Sequence, residues 1–151
     1  MRTPVLEDTR TYMEKFSALM AAGESLDLPV WGNSMNPFLV HGRDRVRLQA
    51  PNRPLKTGDI ALYRRENGDY ILHRICAVKD GCYTMVGDAQ THREWGIRPD
   101  QIIAVALWAE RKGRVQRPGS FWWEFFARIW VRIIPLRPGL VRLYLLLRRH
   151  I

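Results

Sequence analysis

The 151-residue chain holds two cysteines, too few for the disulfide framework of a small secreted domain. It also lacks an uninterrupted apolar run of the roughly 20 residues that a membrane-crossing helix requires. Acidic residues are nearly missing from its end: residues 111–151 carry 10 Lys or Arg against 1 Asp or Glu, whereas residues 1–110 carry 14 of each sign. The net charge of +9 therefore sits wholly in the last segment. A neutral body with a basic end points to an anionic surface near that end, not to an acidic substrate in the body. The opening residues are not expected to act as a secretory leader, because Glu7, Asp8, Arg10, Glu14 and Lys15 interrupt any apolar run there. The expected location is the cytoplasm, with peripheral attachment to a membrane. Eleven glycines and nine prolines without a period exclude a collagen-like or low-complexity chain, and 46% hydrophobic residues suffice for one core.

Three segments follow from the hydrophobic periods. Residues 1–24 form an amphipathic helix, with Leu6, Met13, Phe16 and Met20 on one face and Gly23 at its end. Residues 25–110 change to a period of two, as in Leu26, Leu28, Val30 and again in Val46, Leu48, with turn-rich loops between strands. Asn67-Gly68 and Asp80-Gly81 are strong hairpin signals. The expected class is mainly β within α+β, an antiparallel β body with an N-terminal helix and C-terminal amphipathic helices. Residues 111–151 form the basic aromatic tail. There Arg128, Arg132, Arg137 and Arg142 recur every four or five positions, and each would cost about 2.5–3.5 kcal/mol at a bilayer centre. Pro135 and Pro138 divide the tail into two short helices, one with Trp122, Phe125, Phe126, Ile129 and Ile133, the other with Leu140, Tyr144, Leu145 and Leu147. Aromatics and leucines beside arginines suit residues 119–151 to an anionic membrane interface. Packing on the sheet, or a homodimer through the tail, is the competing outcome.

Two places in the body could carry chemistry. Ser34, in Gly32-Asn33-Ser34-Met35-Asn36-Pro37, sits at a sharp turn after a strand, where a hydroxyl is exposed and backbone N–H groups converge. His73 shares a strand face with Ile71 and Ile75, so partial desolvation holds its imidazole neutral and able to accept a proton. If Asp80-Gly81 is a two-residue turn, Lys79 pairs with Cys82, Cys76 with Met85, and Asp88 falls opposite His73. A carboxylate there would fix the imidazole tautomer and stabilise the imidazolium. With the two influences opposed, activity is expected to rise through about pH 6 to 7.

Taken together, GNSMNPFLVHGRDRVRL, LKTGDIALYRRENGDYILHRI and VGDAQTHREWGI resemble the serine peptidase superfamily of type I signal peptidases and self-cleaving repressors. The order is a G-x-S-M-x-P nucleophile box, a Gly-Asp strand entry, a base box ending in Arg, and a Gly-Asp box. His73 stands where lysine is usual, so the chain is most similar to the Ser-His-Asp branch found in the endoplasmic reticulum and archaea. The resemblance implies a serine endopeptidase with Ser34 as nucleophile, His73 as base and Asp88 as supporting acid, Glu94 being second choice for that acid. It also implies Met35 and Pro37 beside a peptide or preprotein substrate that binds extended along a sheet edge. Gly32 lacks the hydroxyl that some members use in the oxyanion site, which leaves backbone donors. A catalytically inactive membrane- or peptide-binding module of the same fold is the rival. No cofactor or metal is implied: His41, His92 and His150 lack ligand spacing with one another or with the cysteines. A nucleic-acid binder using the basic aromatic tail is the second, less favoured rival, which a steep loss of affinity with salt for DNA but not for anionic vesicles would support.

Overall fold

A computed structural model describes the backbone of residues 5–149 and the side chains of residues 10–149, so Leu6 and His150 lie outside the described side chains. Helix α1 (Val5–Ala21) buries Met13, Phe16 and Met20 along one stripe. It closes where Gly23 N–H reaches Met20 O and Glu24 N–H reaches Leu19 O, so the end carbonyls keep partners as the chain turns into the sheet.

Eight antiparallel strands follow: β1 (Ser25–Pro29), β2 (Arg45–Gln49), β3 (Ile60–Arg64), β4 (Tyr70–Lys79), β5 (Cys82–Val86), β6 (Glu94–Ile97), β7 (Ile102–Arg111) and β8 (Arg114–Gln116). They are ordered β1-β2-β7-β3-β4-β5-β6, with β8 beside the far end of β7. This is the mainly β architecture, with a leading helix and C-terminal helices, that the periodicity predicts. Strand β3 is buried from Ile60 to Tyr63, because both faces of the sheet are covered. Ile60 and Leu62 join α1, β1, β2 and the aromatic residues of the tail in the larger core; Ala61 and Tyr63 join Ile75, Met85, Ile97 and Val105 in a smaller one.

Two registers decide what surrounds His73. At the Asn67-Gly68 turn, Arg64 pairs with Tyr70 and Ala61 with His73. The loop thus holds one residue more than a two-residue turn. At Asp80-Gly81, Lys79 pairs with Cys82 as expected, but Ile75 pairs with Met85 and Ala77 with Thr84. Cys76 is the extra residue of a β-bulge, not the partner of Met85. Strand β4 pairs with β3 over Tyr70–Arg74 and with β5 over Arg74–Lys79, because β5 ends at Val86 opposite Arg74. From Tyr70 to His73 its outer edge is unpaired.

The tail does two different things. Helix α2 (Phe121–Glu124) runs into a wide turn over Phe125–Ile129 and two short 3₁₀ turns. Trp123, Phe126, Trp130, Val131 and Ile134 are buried there, and the Phe126 ring lies 4.8 Å from Phe38 and 5.6 Å from Trp130. Gly58 makes room: a Cβ on it would lie 2.6 Å from the Ala127 carbonyl oxygen. Of the aromatic stripe expected at the interface, Phe126 is therefore core, while Trp122 and Ile129 stay exposed. Helix α3 (Arg137–Arg148) instead leaves Leu140, Leu143, Tyr144, Leu145, Leu146 and Leu147 exposed. Among the described residues no helix is long and apolar enough to cross a membrane.

Candidate active site

A cleft of about 790 Å³ opens between β1, the Ser34 turn and the unpaired edge of β4. Ser34, Met35 and His73 all line it, together with Leu28, Val30, Leu62, Tyr70 and Leu72 as apolar wall and Arg10, Arg65, Asp69 and Gln90 as polar groups. Pro37 does not line it. The Pro37 and Phe38 carbonyls accept from the Arg111 guanidinium, which ties this part of the loop to β7 and away from a peptide site. Met35 is split between roles, because it borders the cleft yet is 2% exposed and belongs to the larger core.

The Ser34 turn is held from both ends. Gly32 N–H donates to His41 Nδ1 at 2.8 Å, and Asp44 accepts from the backbone N–H groups of Val40 and Lys112. On the other side Ala89 N–H donates to the Ser34 carbonyl at 2.9 Å. A Cβ at position 87 would stand 2.5 Å from that carbonyl oxygen, so the loop can lie against Ser34 only with Gly87 there. That same loop is braced by the tail. Trp130 Nε1–H donates to the Asp88 carbonyl at 2.8 Å, and Arg137 Nη1 donates to the Gly87 and Gln90 carbonyls at 3.0 Å each. Neither residue carries a signal in sequence beyond the aromatic-basic composition of the tail.

Asp88 does not face His73 across the ladder as a two-residue turn and an unbroken register would have placed it. The bulge at Cys76 moves the register by one, and both carboxylate oxygens of Asp88 are taken by Arg74, at 2.8 Å from Nε and 2.8 Å from Nη2. Arg74 and Asp88 are 1% and 0% exposed, and Arg74 Nη1 also donates to the Gly58 carbonyl. This is a structural ion pair beneath the site, joining β4, the Gly87–Gln90 loop and the turn before β3.

The polar group in direct reach of the His73 ring is Tyr63, whose hydroxyl oxygen is 3.4 Å from Nδ1. Tyr63 donates to Glu94 Oε2 at 3.0 Å, and Arg65 Nε donates to both Glu94 oxygens at 2.9 and 3.0 Å. Burial raises Glu94, but hydrogen bonds from Arg65 and Tyr63 outweigh it and hold the carboxyl below its usual range. Burial, then the Glu94 charge, pushes the Tyr63 phenol up, so it keeps its proton. His73 is 5% exposed. Burial, followed by the Arg65 charge, depresses its imidazole to about 4, against the weaker pull of Glu94 and Asp88. The balance expected near pH 6 to 7 is thus tipped by desolvation. The ring is neutral at pH 7 and free to accept a proton.

Tyr63 is not among the residues that the sequence motifs single out, yet strand alternation carries a signal for it. It alternates with Ala61 on β3, and Ala61 is the cross-strand neighbour of His73, so Tyr63 shares the His73 face. No protein-family model matches the chain, and neither a curated protein nor a solved structure matches it.

Proposed function

We propose that the chain is a serine endopeptidase of the signal-peptidase-like type. Ser34 Oγ attacks a peptide carbonyl while His73 takes the hydroxyl proton. The imidazolium then returns that proton to the leaving amine, which departs from an acyl-Ser34 ester, and water hydrolyses the ester with His73 again as base. The observation that carries this reading is the meeting of Ser34 and a buried, neutral His73 on one cleft beside an unpaired strand edge. That edge, Tyr70–His73, offers main-chain hydrogen bonds to an extended peptide, and Leu28, Val30, Leu62 and Leu72 offer apolar contact to its side chains. The supporting acid is better sought at Glu94 than at Asp88, whose oxygens are already committed to Arg74.

An activity-based probe with a serine-reactive electrophile tests it. Wild type should be labelled on Ser34, Ser34→Ala should not be, and His73→Ala should react far more slowly. Equal labelling of wild type and Ser34→Ala would sink the proposal and leave the rival, a non-catalytic module of this fold.

The site would work at an anionic membrane surface. What supports this is α3, where Leu140, Leu143, Tyr144 and Leu147 make one exposed stripe at helical spacing with Arg142 and Arg149 opposite. No acidic residue occurs from 125 to 149 to pair those arginines with a second copy. Sedimentation with anionic vesicles, lost in a Leu140→Ser, Leu143→Ser, Leu147→Ser variant, is the expected result. Concentration-dependent dimerisation without vesicle binding would favour a homodimer instead.

A further inference from the structure

We propose that Tyr63 is a positioning residue for His73: with Glu94 behind it, its hydroxyl holds the imidazole as the Nδ1–H tautomer and leaves Nε2 as the proton-accepting nitrogen. Its catalytic consequence rests on the peptidase reading above, whereas the tautomer is a property of the folded chain alone.

The phenol has one proton and two acceptors within reach, Glu94 Oε2 at 3.0 Å and His73 Nδ1 at 3.4 Å. An ionised carboxylate is the stronger acceptor, and Arg65 keeps Glu94 ionised from the far side at 2.9 and 3.0 Å. The Tyr63 proton therefore points to Glu94, and the phenol oxygen turns lone pairs toward the imidazole. A bare Nδ1 would then meet lone pair with lone pair; an Nδ1–H donates instead. Both rings are packed in place, with centroids 6.2 Å apart and planes at 60°, and Tyr63 is 0% exposed. Carboxylate, phenol and imidazole thus form a chain in which no proton needs to move. When His73 becomes imidazolium, Nδ1–H still faces the phenol oxygen, and Glu94 acts on the new charge at one remove. The charged groups facing the ring are Glu94 from β6, Arg65 just after β3 and Asp88 from the loop after β5, the last neutralised by Arg74. The relay takes the place that a directly bonded aspartate would have in a triad.

The test is nitrogen NMR of histidine-labelled protein at neutral pH, beside steady-state kinetics on a cleavable peptide. In the wild type His73 should show a protonated Nδ1 and an unprotonated Nε2. Tyr63→Phe should abolish that preference and lower kcat by roughly tenfold to a hundredfold with little change in KM, less than the loss when a directly bonded acid is removed. Glu94→Gln, on the partly exposed side, should shift the tautomer toward Nε2–H, since Tyr63 no longer has a charged acceptor. A wild-type spectrum showing the Nε2–H tautomer overturns the proposal, and so does a folded Tyr63→Phe with an unchanged His73 spectrum. If Tyr63→Phe does not fold, the wild-type spectrum and Glu94→Gln decide. Should the Nδ1–H tautomer be found while Ser34 ignores the electrophilic probe, the positioning holds and the peptidase reading fails.

Discussion

Asp88 and Glu94 lie six positions apart in one loop-and-strand segment, and their surroundings could hardly differ more. Asp88 is sealed at 0% exposure with both oxygens on Arg74, and its backbone carbonyl accepts from Trp130. Glu94 opens β6 with its side chain 25% exposed, sharing its charge between Arg65 and the Tyr63 hydroxyl. One carboxylate is spent on architecture, since it ties β4 to the loop that supports Ser34. The other retains a route to the imidazole. Nearness to a histidine therefore does not make a carboxylate its partner; the donors that reach it first decide.

The largest effect should come from Asp88→Asn. It leaves the Arg74 guanidinium buried opposite a neutral amide, and breaking a buried pair from one side costs about 3–5 kcal/mol. Chemical denaturation should show this loss whether or not the protein has activity. Replacing both partners, as in Arg74→Met with Asp88→Leu, should be less damaging than the single change. A stable Asp88→Asn with slow turnover would instead return Asp88 to the role of supporting acid.

The second effect is a stability that depends on pH through His73. The folded imidazole titrates at about 4, below the ordinary 6.5 of an unfolded chain. Between those values the unfolded chain binds a proton that the folded one refuses, so stability falls as the solution is acidified and is full above pH 6.5. The loss by pH 4 should reach about 3 kcal/mol. His73→Gln should remove that part of the slope, as denaturation curves at pH 4.5 and 7 would show. Catalysis should follow the same direction, with the acid limb of the activity profile below the ordinary histidine value. A limb at or above pH 7 would contradict a base buried in this way.

These two groups also mark where sequence reasoning stopped. The helix, the period-two strands, both hairpin turns and the residues Ser34 and His73 were legible, because apolar spacing and turn dipeptides act over a few neighbours. Register was not. One additional residue in the Asn67-Gly68 loop and one at Cys76 each move the ladder by a single position, and a one-residue slip turns side chains to the other face. The pairing of Asp88 with His73 depended on the second of them. In the tail, composition could not separate two surfaces of the same chemistry: Phe126 and Trp130 are core, yet Leu143 and Leu147 lie open to solvent with the same apolar spacing. Which surface covers an apolar stripe is decided by tertiary packing, here by the room that Gly58 leaves for Ala127.

Tyr63→Phe is next in size for stability. The hydroxyl is buried but its removal leaves no charge stranded, since Arg65 still holds Glu94. A net cost near that of one hydrogen bond, about 1 kcal/mol, is expected from thermal or denaturant unfolding. A cost of several kcal/mol would mean that Glu94 depends on the phenol as Asp88 depends on Arg74, and the contrast between the two carboxylates would weaken.

The smallest effect on stability should be that of Glu94→Gln, and it sharpens the comparison most. Glu94 and Arg65 are both partly exposed, at 25% and 36% for their side chains, so water replaces much of what the pair loses. Exposed pairs of this kind contribute about 0–1 kcal/mol. The amide oxygen can still accept from Arg65, which keeps the backbone geometry, while Tyr63 loses the charged acceptor that fixes its proton. What disappears is the negative charge that offsets Arg65 near His73, and with it a factor holding the imidazole up. The variant should therefore fold almost as well as the wild type at pH 7, while its histidine titrates lower still and its activity falls. Asp88→Asn reverses that order, with stability lost first. Measuring both quantities for both variants separates the carboxylate that holds this region together from the one that tunes His73; matching losses in the two variants would erase the distinction.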